Sequence, residues 1–124
     1  MRIVLTDREA ELMEVLWEHG PATVTEVRDR LADDLAYTTV LTMLRNLDAK
    51  GFVVHEEEGR AHRYTARVGR DAARRSALRD LSRKLFKGST ALLLTHLVAD
   101  QKLSPEEIGR IRALLDQRTR KAKP

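Results

Sequence analysis

The sequence predicts a mainly α-helical chain with one small β-hairpin: a winged helix-turn-helix over residues 1–69, then a helical dimerisation region over 70–124. Three observations predict it. Apolar residues recur at helical spacing behind Ser/Thr-x-x-Glu starts. The period changes from 3.6 to 2 for one stretch after Phe52. Beyond Gly69 the helical period returns, with aliphatic stripes and no further strand signal. The 124 residues suit one modest domain with an added arm.

Composition narrows the class. A hydrophobic fraction of 42% supports a core, and only 4% aromatic residues make that core aliphatic. Charged residues of both signs are mixed through 34% of the chain, as in a folded protein rather than a disordered tail. The absence of cysteine excludes disulfides, thiolate metal sites and a Cys nucleophile. The opening MRIVLTDREAELMEV is not a signal peptide, and no apolar run reaches the roughly 18 residues that span a bilayer. A cytoplasmic protein without a membrane partner is expected. Charge is uneven: residues 1–34 carry 4 Lys/Arg against 9 Asp/Glu, net −5; residues 35–70 carry 6 against 4, net +2; residues 71–124 carry 13 against 6, net +7. A basic surface suits nucleic acid, with a solvated basic helix face as the plain alternative.

The first helix starts at Thr6, because Thr6 and Glu9 form a capping box. Ala10, Met13, Leu16 and Trp17 follow at helical spacing, which makes the single Trp a core residue, and His19-Gly20-Pro21 stops the helix. Thr23 with Glu26 opens a second helix to about Leu31, with Val24, Val27 and Leu31 inward. Asp33 to Ala36 is a turn, and a third helix begins near Tyr37 and ends at Gly51. Val40, Leu44 and Leu47 line one side of it; Thr38, Thr42, Arg45 and Ala49 line the other, which is nearly free of acid. Thr, Asn and Arg side chains suit base edges in a DNA major groove, where an α-helix fits.

From Phe52, apolar and polar residues alternate into a two-stranded wing, with Glu56 to Gly59 as a polar turn and His62, Tyr64 and Ala66 on one face of the return. Arg60 and Arg63 flank the tip, within reach of phosphates or as solvated side chains of a plain hairpin. The run Glu56-Glu57-Glu58 argues against phosphate contact at those positions. Three helices follow. Asp71 to Lys87 has Ala73, Ala77, Leu78, Leu81 and Leu85 on one stripe and Arg75, Arg79, Arg83 and Lys87 on another; Ser89 caps ALLLTHLVAD; Ser104-Pro105-Glu106-Glu107 leads into Ile108, Ile111, Leu114 and Leu115. The tail RTRKAKP reads as frayed. With Leu93, Leu94 and Leu97 added, this half is too apolar to stand exposed, so a two-fold dimer interface is expected at Leu78, Leu81, Leu85, Leu93, Leu94, Leu97, Ile108, Ile111, Leu114 and Leu115; the alternative is an intrachain bundle on the first helix.

Enzyme chemistry finds no constellation. His19, His55, His62 and His96 are scattered without a tight ligand pair. His55 and His62 can face each other across the hairpin, and they read as ordinary strand residues, with no metal or cofactor expected.

The ordered set Trp17, Val24-Thr25-Glu26-Val27, Tyr37-Thr38-Thr39-Val40, Thr42, Leu44, Leu47, Lys50-Gly51, Glu58-Gly59-Arg60-Ala61 and Tyr64-Thr65 strongly resembles the BlaI/MecI family of penicillinase repressors, through the winged domain and more loosely to about Leu115. The resemblance implies a homodimeric bacterial transcriptional repressor on an inverted-repeat operator in double-stranded DNA. In that family the third helix enters the major groove, the wing approaches the backbone and the C-terminal helices dimerise. Thr38, Thr39, Thr42 and Arg45 are then groove-facing, and Arg60 and Arg63 are wing contacts; Tyr37, Asn46 and Lys50 complete the candidate DNA-binding set. Asn46 stands where the family usually has Arg, which shifts readout from guanine toward adenine. Thr95-His96 stands where sensor-paired members are cleaved at Asn-Phe, so release by an upstream sensor protease is not implied here. The copper-responsive relatives' cysteine motif is missing, which excludes that Cu(I) chemistry. The runner-up function is a winged-helix protein-interaction adaptor that does not bind DNA.

Overall fold

Thr6 and Glu9 form the capping box that opens the first helix: the Glu9 N–H donates to Thr6 Oγ1 at 3.2 Å and the Thr6 N–H to Glu9 Oε1 at 2.9 Å. In the computed structural model, which describes residues 1–122, α1 runs Asp7–His19. Its buried residues are Glu9, Leu12, Met13, Val15 and Leu16. Ala10 is exposed instead of inward, and the buried stripe is displaced to include Glu9, whose carboxylate has a cationic partner described below. Trp17 is only half-buried; its indole N–H donates to the Val68 carbonyl at 2.9 Å, so it packs against the core with its polar edge satisfied.

After Pro21, two residues form a strand that the sequence did not signal, β1 (Ala22–Thr23). Thr23 is also the N-cap of α2 (Val24–Arg30), in a second capping box with Glu26. The helix α3 (Tyr37–Ala49) buries Val40, Leu44 and Leu47. It ends at Gly51, whose φ of +83° suits glycine, and the Phe52 N–H reaches back to the Leu47 carbonyl at 3.0 Å, turning the chain into the sheet.

The wing is part of a three-stranded antiparallel sheet in the order β1-β3-β2, with β2 Val53–Glu58 and β3 Ala61–Ala66. The pairing Ala22↔Tyr64 brings β1 to the inner end of β3. Glu56, Glu57 and Glu58 belong to β2 and face Arg63, His62 and Ala61; the turn is only Gly59-Arg60, with Gly59 at φ +63°. A charged, exposed β2 on the sheet's open edge discourages pairing with another chain. Tyr64, 1% exposed, plugs the sheet into an aliphatic core with Leu12, Met13, Val27, Val40, Leu44, Leu47 and Val53.

The helix α4 spans Arg70–Leu85, starting one residue earlier and ending two residues earlier than its sequence pattern suggests; Lys87 lies in the turn beyond it at φ +52°. The chain divides into two compact units, Met1–Asp80 and Leu81–Pro124, with the division inside α4. The reason lies in its first half. Ala73 and Ser76 are buried, and Ser76 clasps the N-terminal segment: its Oγ accepts the Ile3 N–H at 2.8 Å and donates to the Ile3 carbonyl at 3.3 Å. Arg2 adds an ion pair to Asp80 at 2.9 Å.

In the second unit, Ser89 caps α5 (Thr90–Asp100) by accepting from the Leu92 N–H. Ser104 and Glu107 bond reciprocally at the start of α6 (Pro105–Ala122). Phe86 meets the His96 ring edge-on at 5.5 Å. The stretch Arg118–Ala122, expected to fray, continues α6; Lys123 and Pro124 lie outside the described residues. No helix among the described residues is long and apolar enough to cross a membrane.

Candidate nucleic-acid interface

The inward residues of α3 fix which side it presents. With Val40, Leu44 and Leu47 at 0% exposure, Tyr37, Thr38, Thr39, Thr42, Arg45, Asn46, Ala49 and Lys50 are all exposed. The Thr42 hydroxyl donates to the Thr38 carbonyl at 2.9 Å, which leaves its lone pairs and methyl facing out. Arg45 makes no ion pair or hydrogen bond among the described residues, so its guanidinium is available. Asp48, on the same helix, is engaged by His55 Nδ1.

The start of α3 falls at Tyr37 as the sequence predicts, but the sequence did not clearly signal that it is uncapped. Its N-cap is Ala36, with no side-chain cap, and its first turn carries no acid. By contrast α1, α2, α5 and α6 each have a Ser or Thr cap. The open N–H groups and positive dipole end of α3 form a surface suited to an anion. Ala at this position is the only linear signal, and it is a weak one.

Two of the candidate cations are already engaged. Arg63 donates to Glu58 and, at 3.1 Å, to the Pro21 carbonyl, and it lies 3.3 Å from Glu26. The Glu58 hydrogen bond raises its already high pKa, and its role here is to tie β3 to α2 and the β1 entry. Glu26 is in turn held below the ordinary 4.5, first by the Thr23 backbone N–H and then by the Thr23 hydroxyl. Lys50 donates to both oxygens of Glu9, at 2.7 and 2.9 Å. Arg60, at the hairpin tip, is exposed and without a partner among the described residues. Tyr37, Thr38, Thr39, Thr42, Arg45 and Asn46 thus share one open face of α3, with Arg60 on the wing, while the cationic ends of Arg63 and Lys50 are engaged by carboxylates.

His55 and His62 do come together: their rings stack at 4.9 Å with planes 18° apart, and Tyr64 follows at 5.6 Å from His55. A metal binds imidazole lone pairs in the ring plane, and near-parallel planes at that spacing do not converge on one ion. Among the described residues no group of three or more His, Cys, Asp or Glu is arranged to hold a metal.

Comparison with known proteins agrees with this architecture. The sequence model of the penicillinase repressor family matches residues 5–117. The transcriptional regulator BlaI of Mycobacterium tuberculosis is 36% identical over 115 residues, covering 90% of this chain and 82% of that one. The penicillinase repressor of Bacillus licheniformis is 26% identical over 121 residues, covering 96% and 94%. The solved DNA-binding domain of the repressor BlaI superposes with a TM-score of 0.50 at 32% identity, over 56% of this chain and 90% of that domain. The match runs from the first helix through the wing and into α6, and on that basis the chain belongs to the penicillinase repressor family.

Proposed function

We propose that the chain is a sequence-specific DNA-binding transcriptional repressor of the cytoplasm, acting as a homodimer on an inverted-repeat operator. The observation that carries the reading is the acid-free outer face of α3, which joins an uncapped N-terminus to Thr38, Thr39, Thr42, Arg45 and Asn46. The uncapped end suits a backbone phosphate, and Arg45 and Asn46 suit guanine and adenine edges. Kinship with proteins named as a transcriptional regulator and as a penicillinase repressor supports the same reading. An adaptor would tolerate acid on this face, and the face has none.

The dimer is supported by the second unit. Leu97 is 46% exposed, Leu114 65% and Leu115 50%, which is a large apolar surface for a chain meant to stand alone. Leu81 and Leu85 of the same unit are exposed too, as is Leu78 at the end of the first unit. Ile108, at 37%, and the partly buried Leu94 and Ile111 extend the second unit's apolar surface, while Leu93 is buried within its own unit.

Selecting bound sequences from random double-stranded DNA with the purified chain tests the proposal. Enriched sites are expected to hold two inverted half-sites about one helical turn, or a multiple of it, apart. Affinity for them should fall about 10³–10⁵-fold between 50 and 200 mM salt if about 6–10 phosphates are neutralised. No enrichment together with a flat salt response overturns the reading.

A further inference from the structure

We infer that Glu9 is a specificity-determining positioning residue: by holding the Lys50 ammonium against α1 it anchors the C-terminal end of α3 and withholds that cation from the DNA backbone. The inference rests on the DNA-binding reading above.

Glu9 sits in the first turn of α1 with its side chain 6% exposed, and Lys50 is the C-cap residue of α3, 41 positions away. Their contact at 2.7 and 2.9 Å joins the helix that faces outward to the helix beneath it. Burial pushes the Glu9 carboxyl upward, but the Lys50 hydrogen bond and the Thr6 backbone N–H outweigh it and hold the group ionised below the ordinary 4.5. Capping alone does not require this burial. Glu26 plays the same capping role for α2 with its side chain 38% exposed. At Glu9, Oε1 accepts from both the Thr6 N–H and Lys50, while Oε2, which takes no part in the cap, accepts from Lys50 at the shorter distance of 2.7 Å.

The Lys50 side chain is itself 44% exposed and borders Met43, Asn46 and Ala49, so its stem lies beside the outer face while its charge turns inward. A free lysine there would add a phosphate contact that strengthens binding to every sequence alike. Held by Glu9, it adds none, and the ratio of operator to random-DNA affinity is larger for it.

Gln at position 9 separates the two roles. Its carbonyl still caps the Thr6 N–H. Its amide N–H₂ cannot accept from an ammonium and the carboxylate charge is gone, so the two charge-assisted contacts of Lys50 are reduced to one neutral hydrogen bond on the remaining carbonyl and its hold is weakened. The test uses the full chain as Glu9→Gln, Lys50→Met, Lys50→Arg and the Glu9→Gln/Lys50→Met double variant. Affinity is measured against salt on a selected operator and on a random duplex.

Glu9→Gln, which weakens the hold on Lys50, is expected to steepen the salt slope by up to about 0.9 per protomer, to raise random-DNA affinity and to lower the operator-to-random ratio. Lys50→Met should leave the slope at the wild-type value, the double variant should lose the gain of Glu9→Gln, and Lys50→Arg should match wild type. Partial unfolding lowers both affinities equally and leaves slope and ratio unchanged, so a purely structural role gives a different result. A slope flattened by about 0.9 in Lys50→Met, or a Glu9→Gln protein with wild-type slope and ratio, overturns the inference. Wild-type protein that binds neither duplex instead removes the DNA-binding reading and this inference with it.

Discussion

In Met1–Asp80 three helices and a small sheet bury a continuous aliphatic cluster around Leu12, Leu44 and Tyr64. In Leu81–Pro124 two helices carry an aliphatic content at least as high, yet Leu93 is the only residue there buried among those described. The helical signal is the same in both. Periodicity reports which side of a helix is apolar, and it does not report whose atoms cover that side. In the first unit the sheet and α1 supply the cover from within the chain. In the second the supply is the proposed second copy.

The largest effect should come from the closed core. Leu44→Ala, at a site with 0% exposure, is expected to cost about 2–5 kcal/mol in urea denaturation, with a midpoint independent of protein concentration. A loss within the range of an ordinary surface substitution, about 0.5 kcal/mol, would show that the first unit is not closed. Next comes the open unit. Leu97→Asp with Leu114→Asp should weaken self-association by about 2 kcal/mol or more and move the sedimenting species toward the 14.1 kDa of one chain, with the first unit still folded. Wild-type protein sedimenting as a single chain at micromolar concentration would end the contrast between the units. The smallest effect sharpens the first half: Trp17→Phe keeps the ring packing but removes the N–H donor to Val68, for a thermal destabilisation of about 0.5–1.5 kcal/mol followed by circular dichroism. No change at all would mean that water replaces the indole at the Val68 carbonyl.

Helix starts were legible because a capping box is written in residues three apart, and Thr6/Glu9, Thr23/Glu26 and Ser104/Glu107 all formed as expected. The third helix's two faces were legible from its own period. What escaped depends on distant partners. β1 is a strand only because Ala22 and Thr23 meet Tyr64 and Arg63. Three successive Glu look like a loop by composition, while the ladder with β3 makes them strand. The ion pairs of Arg63 and Lys50 could not be seen from their charges, because their carboxylate partners, apart from Glu58, lie far along the chain. The stripe on α4 was sound as an apolar pattern, yet the buried pair is Ala73, which joins the core cluster of the first unit, and Ser76, which is held by the N-terminal segment through Ile3.

The clasp between Ile3 and Ser76 has a consequence for the order in which the protein is made. The two residues are 73 positions apart. At a synthesis rate of about 5–20 residues per second, Ile3 waits roughly 4–15 s before Ser76 has even been joined to the chain, and longer until it leaves the ribosome. For that interval its apolar side chain is without this cover and its two backbone groups bond to water. A fragment that stops at Gly69 makes the same condition permanent. A segment translated ahead of the rest of this head is therefore among the last to be fixed in place, and the shortest piece able to finish the head reaches into α4.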